Sequence, residues 1–296
     1  MKKECLFVDV FTDVPYAGNQ LAVFSDIKGI TDEMMQKLAN EINYSETTFI
    51  SVSNDSKADF DMRIFTATRE LPFAGHPTLG TAFCIMELLD VWQKPRDVLR
   101  LKTKVGVIPL RKENGVIWMT QNEPEFFVQY TDKKEIAELV GLSVDDLSDT
   151  LPIEEVSTGN TLLIIPVKTL QAMRRAEGHA NNMKKFFARK SVGPYMFSLE
   201  TTEPTSQVHT RFFAPHLGIM EDPATGSAAG PLVGYLLKHG VFGGSFDIVN
   251  EQGIEMGRPS KILMRGSKKN NRYTVEIGGM CVFIGTGMFE IHECTR

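Results

Sequence analysis

Two segments of the chain lack the polar face that a surface helix carries. Residues 76–89 bring Leu79, Ala82, Phe83, Ile85, Met86, Leu88 and Leu89 to all sides of a helical projection, and residues 227–237 do the same with Ala228, Ala229, Leu232, Val233, Leu236 and Leu237. A helix that is apolar all round has to be enclosed. Short strand-like runs surround each segment, at 98–103, 105–111 and 116–121, then at 246–250, 261–266, 272–277 and 280–290, with Glu113-Asn114-Gly115 and Lys269-Asn270-Asn271 as turn signals. Near the start, residues 4–10 alternate apolar and polar, and 21–24 reads as the returning strand after a turn. Thr31 caps an amphipathic helix to about Asn40, followed by strands entering at 44–50 and passing through Arg63-Ile64-Phe65. Segments 132–140 and 179–190 read as lesser helices, and 141–153 as a polar, Asp-rich connection. The pattern predicts an α+β chain of two similar domains, 1–124 and 125–296, with the last strand free to cross back to the first. Each is a curled, mostly antiparallel sheet around one central helix.

The likeness of the halves is visible in the residues themselves. Glu70-Leu71-Pro72-Phe73-Ala74-Gly75-His76-Pro77-Thr78 and Glu221-Asp222-Pro223-Ala224-Thr225-Gly226-Ser227-Ala228 share a leading carboxylate, a Pro two residues later, and a Gly followed by a polar side chain. Gly18-Asn19-Gln20-Leu21 resembles Gly159-Asn160-Thr161-Leu162, and Arg63-Ile64-Phe65 resembles Arg211-Phe212-Phe213, in the same order. Small loop insertions after a tandem duplication leave such a series. Each Gly turn feeds a helix N-terminus, where free amides and the helix dipole favour an anion. The expectation is a pair of half-sites for one acidic ligand, with His76 and Ser227 across a cleft between two similar halves.

Composition removes several classes of function. A formal charge of −5 offers no basic stripe for nucleic acid, and no run of 18 apolar residues occurs to cross a membrane. With no signal-like start, the protein is expected in the cytoplasm. Cys5, Cys84, Cys281 and Cys294 show no CxxC spacing, and the first three sit in apolar surroundings that suit buried, reduced thiols. The six histidines form no metal-binding pattern, and no GxGxxG or Walker loop is present. Neither a metal nor a nucleotide cofactor is indicated.

Six blocks together carry a family resemblance: Ala17-Gly18-Asn19, Ser45-Glu46-Thr47, the Glu70 to Thr78 block, Ser157-Thr158-Gly159, Arg211-Phe212-Phe213-Ala214-Pro215, and the Glu221 to Ala228 block. With Gln252-Gly253 and Met256-Gly257-Arg258-Pro259-Ser260 they span nearly the whole chain, and they resemble the PhzF family of phenazine-biosynthesis isomerases. The resemblance implies a diaminopimelate-epimerase-like fold and a cofactor-free enzyme, usually a homodimer, with its site between two barrels. It implies Glu46 as general acid/base and His76 and Asp222 as further catalytic residues. Ser45, Asn19, Gly75, Gly226 and Ser227 fall to substrate binding. The epimerase relatives carry a Cys at each helix start, but here those positions hold His76 and Ser227, so a two-thiol racemisation is excluded and acid/base isomerisation is not.

Moving a proton between carbons of a small carboxylate requires a base near both carbons, a second group to guide the proton, and fixed charge on the carboxylate. The expected reaction is therefore a proton or double-bond shift on a small, typically cyclic, amino or hydroxy carboxylate such as trans-2,3-dihydro-3-hydroxyanthranilate. The alternative is a non-catalytic carboxylate-binding protein on the same fold, against which the presence of Glu46 argues.

Overall fold

The computed structural model describes residues 1–89, 97–187, 193–215 and 219–292. Positions 188–190 of the helix predicted at 179–190, and Cys294, lie outside the described residues. The protein forms two compact units, Met1–Met119 with Gly279–Arg296, and Thr120–Gly278.

The first unit begins with β1 (Lys2–Val10), β2 (Asn19–Phe24), α1 (Asp32–Ile42), β3 (Glu46–Val52), β4 (Phe60–Phe65) and the short β5 (Glu70–Leu71). The central helix α2 (Gly75–Phe83) follows, then β6 (Val98–Thr103), β7 (Gly106–Glu113) and β8 (Val116–Thr120). The second unit holds β9 (Glu125–Tyr130), α3 (Lys133–Leu139), β10 (Ile153–Ser157), β11 (Thr161–Pro166), α4 (Leu170–Arg175), α5 (Ala180–Phe186), β12 (Gly193–Ser198), β13 (Val208–Ala214) and β14 (Ile219–Asp222). Its central helix is α6 (Gly226–Lys238), followed by β15 (Ser245–Gln252), β16 (Ser260–Lys269) and β17 (Arg272–Gly279). The polypeptide then returns to the first unit as β18 (Cys281–Glu290), antiparallel to β1.

The two units repeat one pairing scheme. In the first, β1–β2, β3–β4, β4–β5, β6–β7 and β7–β8 are antiparallel, while β2–β3 and β4–β6 are parallel. In the second, β10–β11, β12–β13, β13–β14, β15–β16 and β16–β17 are antiparallel, while β11–β12 and β13–β15 are parallel. Strand β9 lies antiparallel to β10, the place that β18 takes beside β1. The fold class is α+β, with two pseudo-symmetric, mostly antiparallel sheets.

Each sheet wraps its inner face around the central helix, so the helix needs no polar side. The α2 residues Leu79 and Ala82 and the α6 residues Leu232, Val233 and Leu236 are fully buried. Close approach is secured by Gly80, where a Cβ would come within 2.6 Å of methyl groups of Leu21 and Val10. The outer faces are covered too. Helix α1 covers Phe24, Phe49 and Phe65, with Phe24 and Phe49 stacked at 5.0 Å, and helices α3 to α5 cover Leu163, Ile165, Met196 and Phe213.

Several expected boundaries move for identifiable reasons. Helix α1 runs to Ile42 rather than Asn40 because Asn43 takes the left-handed cap and donates its N–H to Ala39 O; Thr31 Oγ1 caps the start by accepting from Met34 N–H. The helix expected over 76–89 is α-helical only to Phe83 and continues as a π turn at Cys84–Leu88. The connection at 141–153 carries a 3-10 turn, Val144–Asp146, closed by a Ser143–Asp146 capping box. The hairpin signals hold: Asn114 and Gly115, and Asn270 and Asn271, all have positive φ. Among the described residues, no helix is long and apolar enough to cross a membrane.

The duplicated Arg and Glu positions meet in each unit. Arg63 grips Glu70 through Nε and Nη2 at 2.8 and 2.9 Å, and Arg211 grips Glu221 in the same way at 2.7 and 2.9 Å. Each guanidinium also lies over an aromatic ring, Phe65 at 5.1 Å and Phe213 at 4.7 Å. Arg211 further donates to Met173 O and Ala176 O at the end of α4, and its side chain is 7% exposed against 28% for Arg63. Removing one partner of a buried pair strands the other charge, at a cost of about 3 to 5 kcal/mol. Arg211→Ala should therefore lose stability on that scale and Arg63→Ala clearly less, as compared by their chemical-denaturation midpoints.

Candidate active site

In the first unit, local structure brings five of the predicted residues together. Gly18, at φ +66°, makes the turn into β2; a Cβ there would lie 2.3 Å from Val10 O, so the turn requires glycine. Asn19 then opens β2, Glu46 opens β3 beside it in parallel register, and His76 is the second residue of α2. Ser45 Oγ donates to Asn19 Oδ1 (3.1 Å), and Asn19 Nδ2 lies 3.2 Å from His76 Nδ1. The donor and acceptor roles in that contact depend on the ring tautomer. His76 Nε2 is buried, closes no hydrogen bond among the described residues, and lies 3.5 Å from Glu46 Oε2. Gly75, the first residue of α2, is buried next to His76.

Burial holds the His76 imidazole neutral, pushing its pKa down from 6.5 to about 3, and a hydrogen bond with the Gln20 backbone offsets this only in part. A neutral imidazole beside a carboxylate can donate or accept a hydrogen bond without a fixed charge of its own. That suits guiding a proton on and off carbon.

In the second unit, Asp222 ends β14, Thr225 immediately precedes α6, and Gly226 and Ser227 are the first two helical residues, the positions Gly75 and His76 hold in α2. Thr225 Oγ1 donates to Asp222 Oδ2 at 2.5 Å. Gln121 Nε2 donates to Gly226 O (3.0 Å) and its Oε1 accepts from Thr158 Oγ1. Ser227 is half-buried. The turn is braced from behind, since Ser260 Oγ donates to Pro223 O (2.8 Å) and Gly253 packs so tightly that a Cβ would meet Pro223 O at 2.5 Å.

Three features of the second unit escaped the sequence. Thr225 and Gln252 fix the Asp222 turn, yet Gln252 lies 27 residues downstream of Thr225. His209 bridges Glu251 (Nδ1, 2.8 Å) and Glu255 (Nε2, 3.1 Å), which are separated from it by 42 and 46 residues. The register of β13 beside β15 sets His209 against Glu251. Glu251 also accepts from Thr202 N–H and Glu203 N–H. Burial alone would depress the His209 pKa, but the bonds to Glu251 and Glu255 outweigh it and raise it; those same bonds to His209 hold both carboxyl groups below their ordinary range despite their burial.

The thiols are remote in chemistry from this picture. Cys5, Cys84 and Cys281 are free, and burial pushes Cys5 and Cys281 up to about 12. Among the described residues, no group of three or more His, Cys, Asp or Glu residues is placed to hold a metal ion.

The two histidines predict opposite pH effects. His76 refuses a proton that the unfolded state accepts, so its contribution weakens stability as pH falls from 6.5 toward 3. His209 stabilises fully below 6.5, and that contribution is lost as pH rises through its raised pKa. Thermal midpoints of wild type and His209→Gln should differ most below pH 6.5 and converge on the alkaline side, and histidine NMR should show His76 untitrated at pH 5.

The model of the phenazine biosynthesis-like family, PhzC-PhzF, matches residues 8–287. An uncharacterized isomerase of Pasteurella multocida is 32% identical over 95% of this chain and 91% of its own length. The trans-2,3-dihydro-3-hydroxyanthranilate isomerase of Pseudomonas fluorescens is 34% identical over 95% of this chain and 97% of its own. The crystal structure of a phenazine biosynthesis protein of the PhzF family from Bacillus anthracis superposes with a TM-score of 0.88 at 30% identity, covering 98% of this chain and 100% of that one.

Proposed function

The chain belongs to the phenazine biosynthesis-like family and is an isomerase of the PhzF type, and from that premise we propose that it catalyses a cofactor-independent acid/base proton shift on a small cyclic amino or hydroxy carboxylate. Trans-2,3-dihydro-3-hydroxyanthranilate, named for the Pseudomonas relatives, is the first compound to assay. The observation that carries this reading is the buried pair of Glu46 and a neutral His76, 3.5 Å apart.

In the proposed mechanism Glu46 takes a proton from one substrate carbon, and the same proton is returned at a second carbon as the double bond moves. His76, oriented by Asn19 and Ser45, guides that proton without adding charge of its own. In each unit the backbone amides at the start of the central helix, at Gly75 and at Gly226, suit an anion such as a carboxylate, the Ser227 hydroxyl adds a donor in the second, and Asp222 supplies a second proton-handling group.

Replacement of Glu46 by Gln retains shape and most hydrogen bonding but cannot shuttle a proton. Glu46→Gln should abolish turnover while leaving affinity for the assayed acid within about tenfold, roughly 1.4 kcal/mol. Ser227→Ala should do the reverse, weakening binding on the order of 1 to 3 kcal/mol with residual turnover. Reaction in deuterium oxide with exchange read by NMR is decisive, because a Glu46→Gln enzyme that exchanges normally places the base elsewhere.

Cofactor independence and a homodimeric working form belong to the same proposal. Stoichiometric metal by elemental analysis, or a flavin or nicotinamide absorbance in active protein, overturns the first. Sedimentation showing only monomer overturns the second.

A further inference from the structure

We infer that Gln252 is a positioning residue, whose carboxamide fixes the direction of the hydrogen bond from Thr225 to the Asp222 carboxylate. The inference rests on the reading of Asp222 as a proton-handling group. Gln252 is the last residue of β15 and is fully buried. Its Oε1 lies 3.2 Å from Thr225 N, and its Nε2 lies 2.8 Å from Asp222 O and 2.9 Å from Thr225 Oγ1.

Two of those partners have only one polarity. A backbone N–H can only donate and a backbone carbonyl can only accept, so the carboxamide cannot be reversed without two like-polarity contacts. Nε2 must therefore donate to Asp222 O with one hydrogen and to Thr225 Oγ1 with the other. The Thr225 hydroxyl, already receiving a hydrogen, has its own left to give, and Asp222 Oδ2 stands 2.5 Å away to take it. Gln252 thus imposes a one-way relay, from amide to hydroxyl to carboxylate.

The far side of the amide is held as firmly. Tyr195 O–H donates to Gln252 Oε1 (3.1 Å) and accepts from Asn250 Nδ2 (3.0 Å), while Thr210 Oγ1 donates to Asn250 Oδ1 (3.0 Å). Tyr195, Thr210, Asn250 and Gln252 are all fully buried, on three adjacent strands. A satisfied buried network of this kind rigidifies its members, and an amide that uses both hydrogens and both lone pairs has no low-energy alternative. A carboxylate at position 252 accepts but cannot donate, so it would leave the hydroxyl undirected and set a second negative charge behind Asp222.

The test uses the intact protein, with the Asp222 carboxyl carbon followed by NMR titration in wild type, Gln252→Glu, Thr225→Val and Thr225→Ser. A hydrogen bond donated to a carboxylate favours its charged form. The Asp222 midpoint should rise by about one pH unit in Gln252→Glu and Thr225→Val and stay near wild type in Thr225→Ser, which keeps the hydroxyl. Should Gln252→Glu fail to fold, Gln252→Met, which removes both amide hydrogens without adding a charge, carries the comparison, and an unchanged midpoint in it overturns the inference as well. Unchanged midpoints in folded Gln252→Glu or Thr225→Val overturn the inference. A separate arm assays Asp222→Asn on trans-2,3-dihydro-3-hydroxyanthranilate. Full turnover there removes Asp222 from the proposed mechanism, whereas lost turnover with unmoved midpoints sinks the positioning role alone.

Discussion

A helix with no polar face has to be enclosed, and in each unit that constraint organises the rest. Once α2 and α6 have apolar residues on every side, the sheet around each has to curl. Glycine appears where strand and helix touch, as at Gly80. The N-terminal end of each enclosed helix is open to polar chemistry, since the first backbone amides have no partner within the helix. The Gly75-His76 and Gly226-Ser227 pairs stand at those ends.

The electrostatics of the first unit follow from the same enclosure. An imidazole placed at the start of a buried helix loses its hydration, and the charged form becomes too costly to populate. His76 is held neutral for that reason, with Asn19 and Ser45 supplying orientation in place of water. In the second unit, burial acts on His209 as well, but two carboxylates outweigh it. Whether a buried histidine is charged thus turns on its partners, as burial is nearly complete for both.

Features that depend on local pattern were legible in the sequence. The central helices announced themselves by apolar residues all round, the hairpins by Asn-Gly and Asn-Asn, and α1 by Thr31. The grouping of Ser45, Glu46 and His76 was visible only as blocks of a family resemblance, because 30 residues and two strands separate Glu46 from His76. What could not be read depends on register. Strand β9 exposes Phe127 and Val128 and so lacks a clean alternation, and its place beside β10 became clear only in the structure. Likewise, nothing near Gln252 or His209 along the sequence points to Thr225 or Glu255. The parallel pairing of β13 with β15 sets His209 beside Glu251 and Thr210 beside Gln252.

The two copies of the turn separate what the fold needs from what chemistry uses. Both keep the forked arginine–glutamate bridge with the arginine over an aromatic ring, so this brace belongs to the architecture. The positions around it differ in kind. Where the first copy has Leu71, Ala74 and His76, the second has Asp222, Thr225 and Ser227. A polar residue introduced behind an enclosed helix has to be satisfied, and Asp222 and Thr225 are satisfied by one another and by Gln252. The first copy, apolar at both of those positions, needs no such network and directs its polar contacts to the imidazole instead. The same enclosed frame thus holds a neutral imidazole in one copy and a hydrogen-bonded carboxylate in the other, and the difference follows from which side groups each copy can keep satisfied.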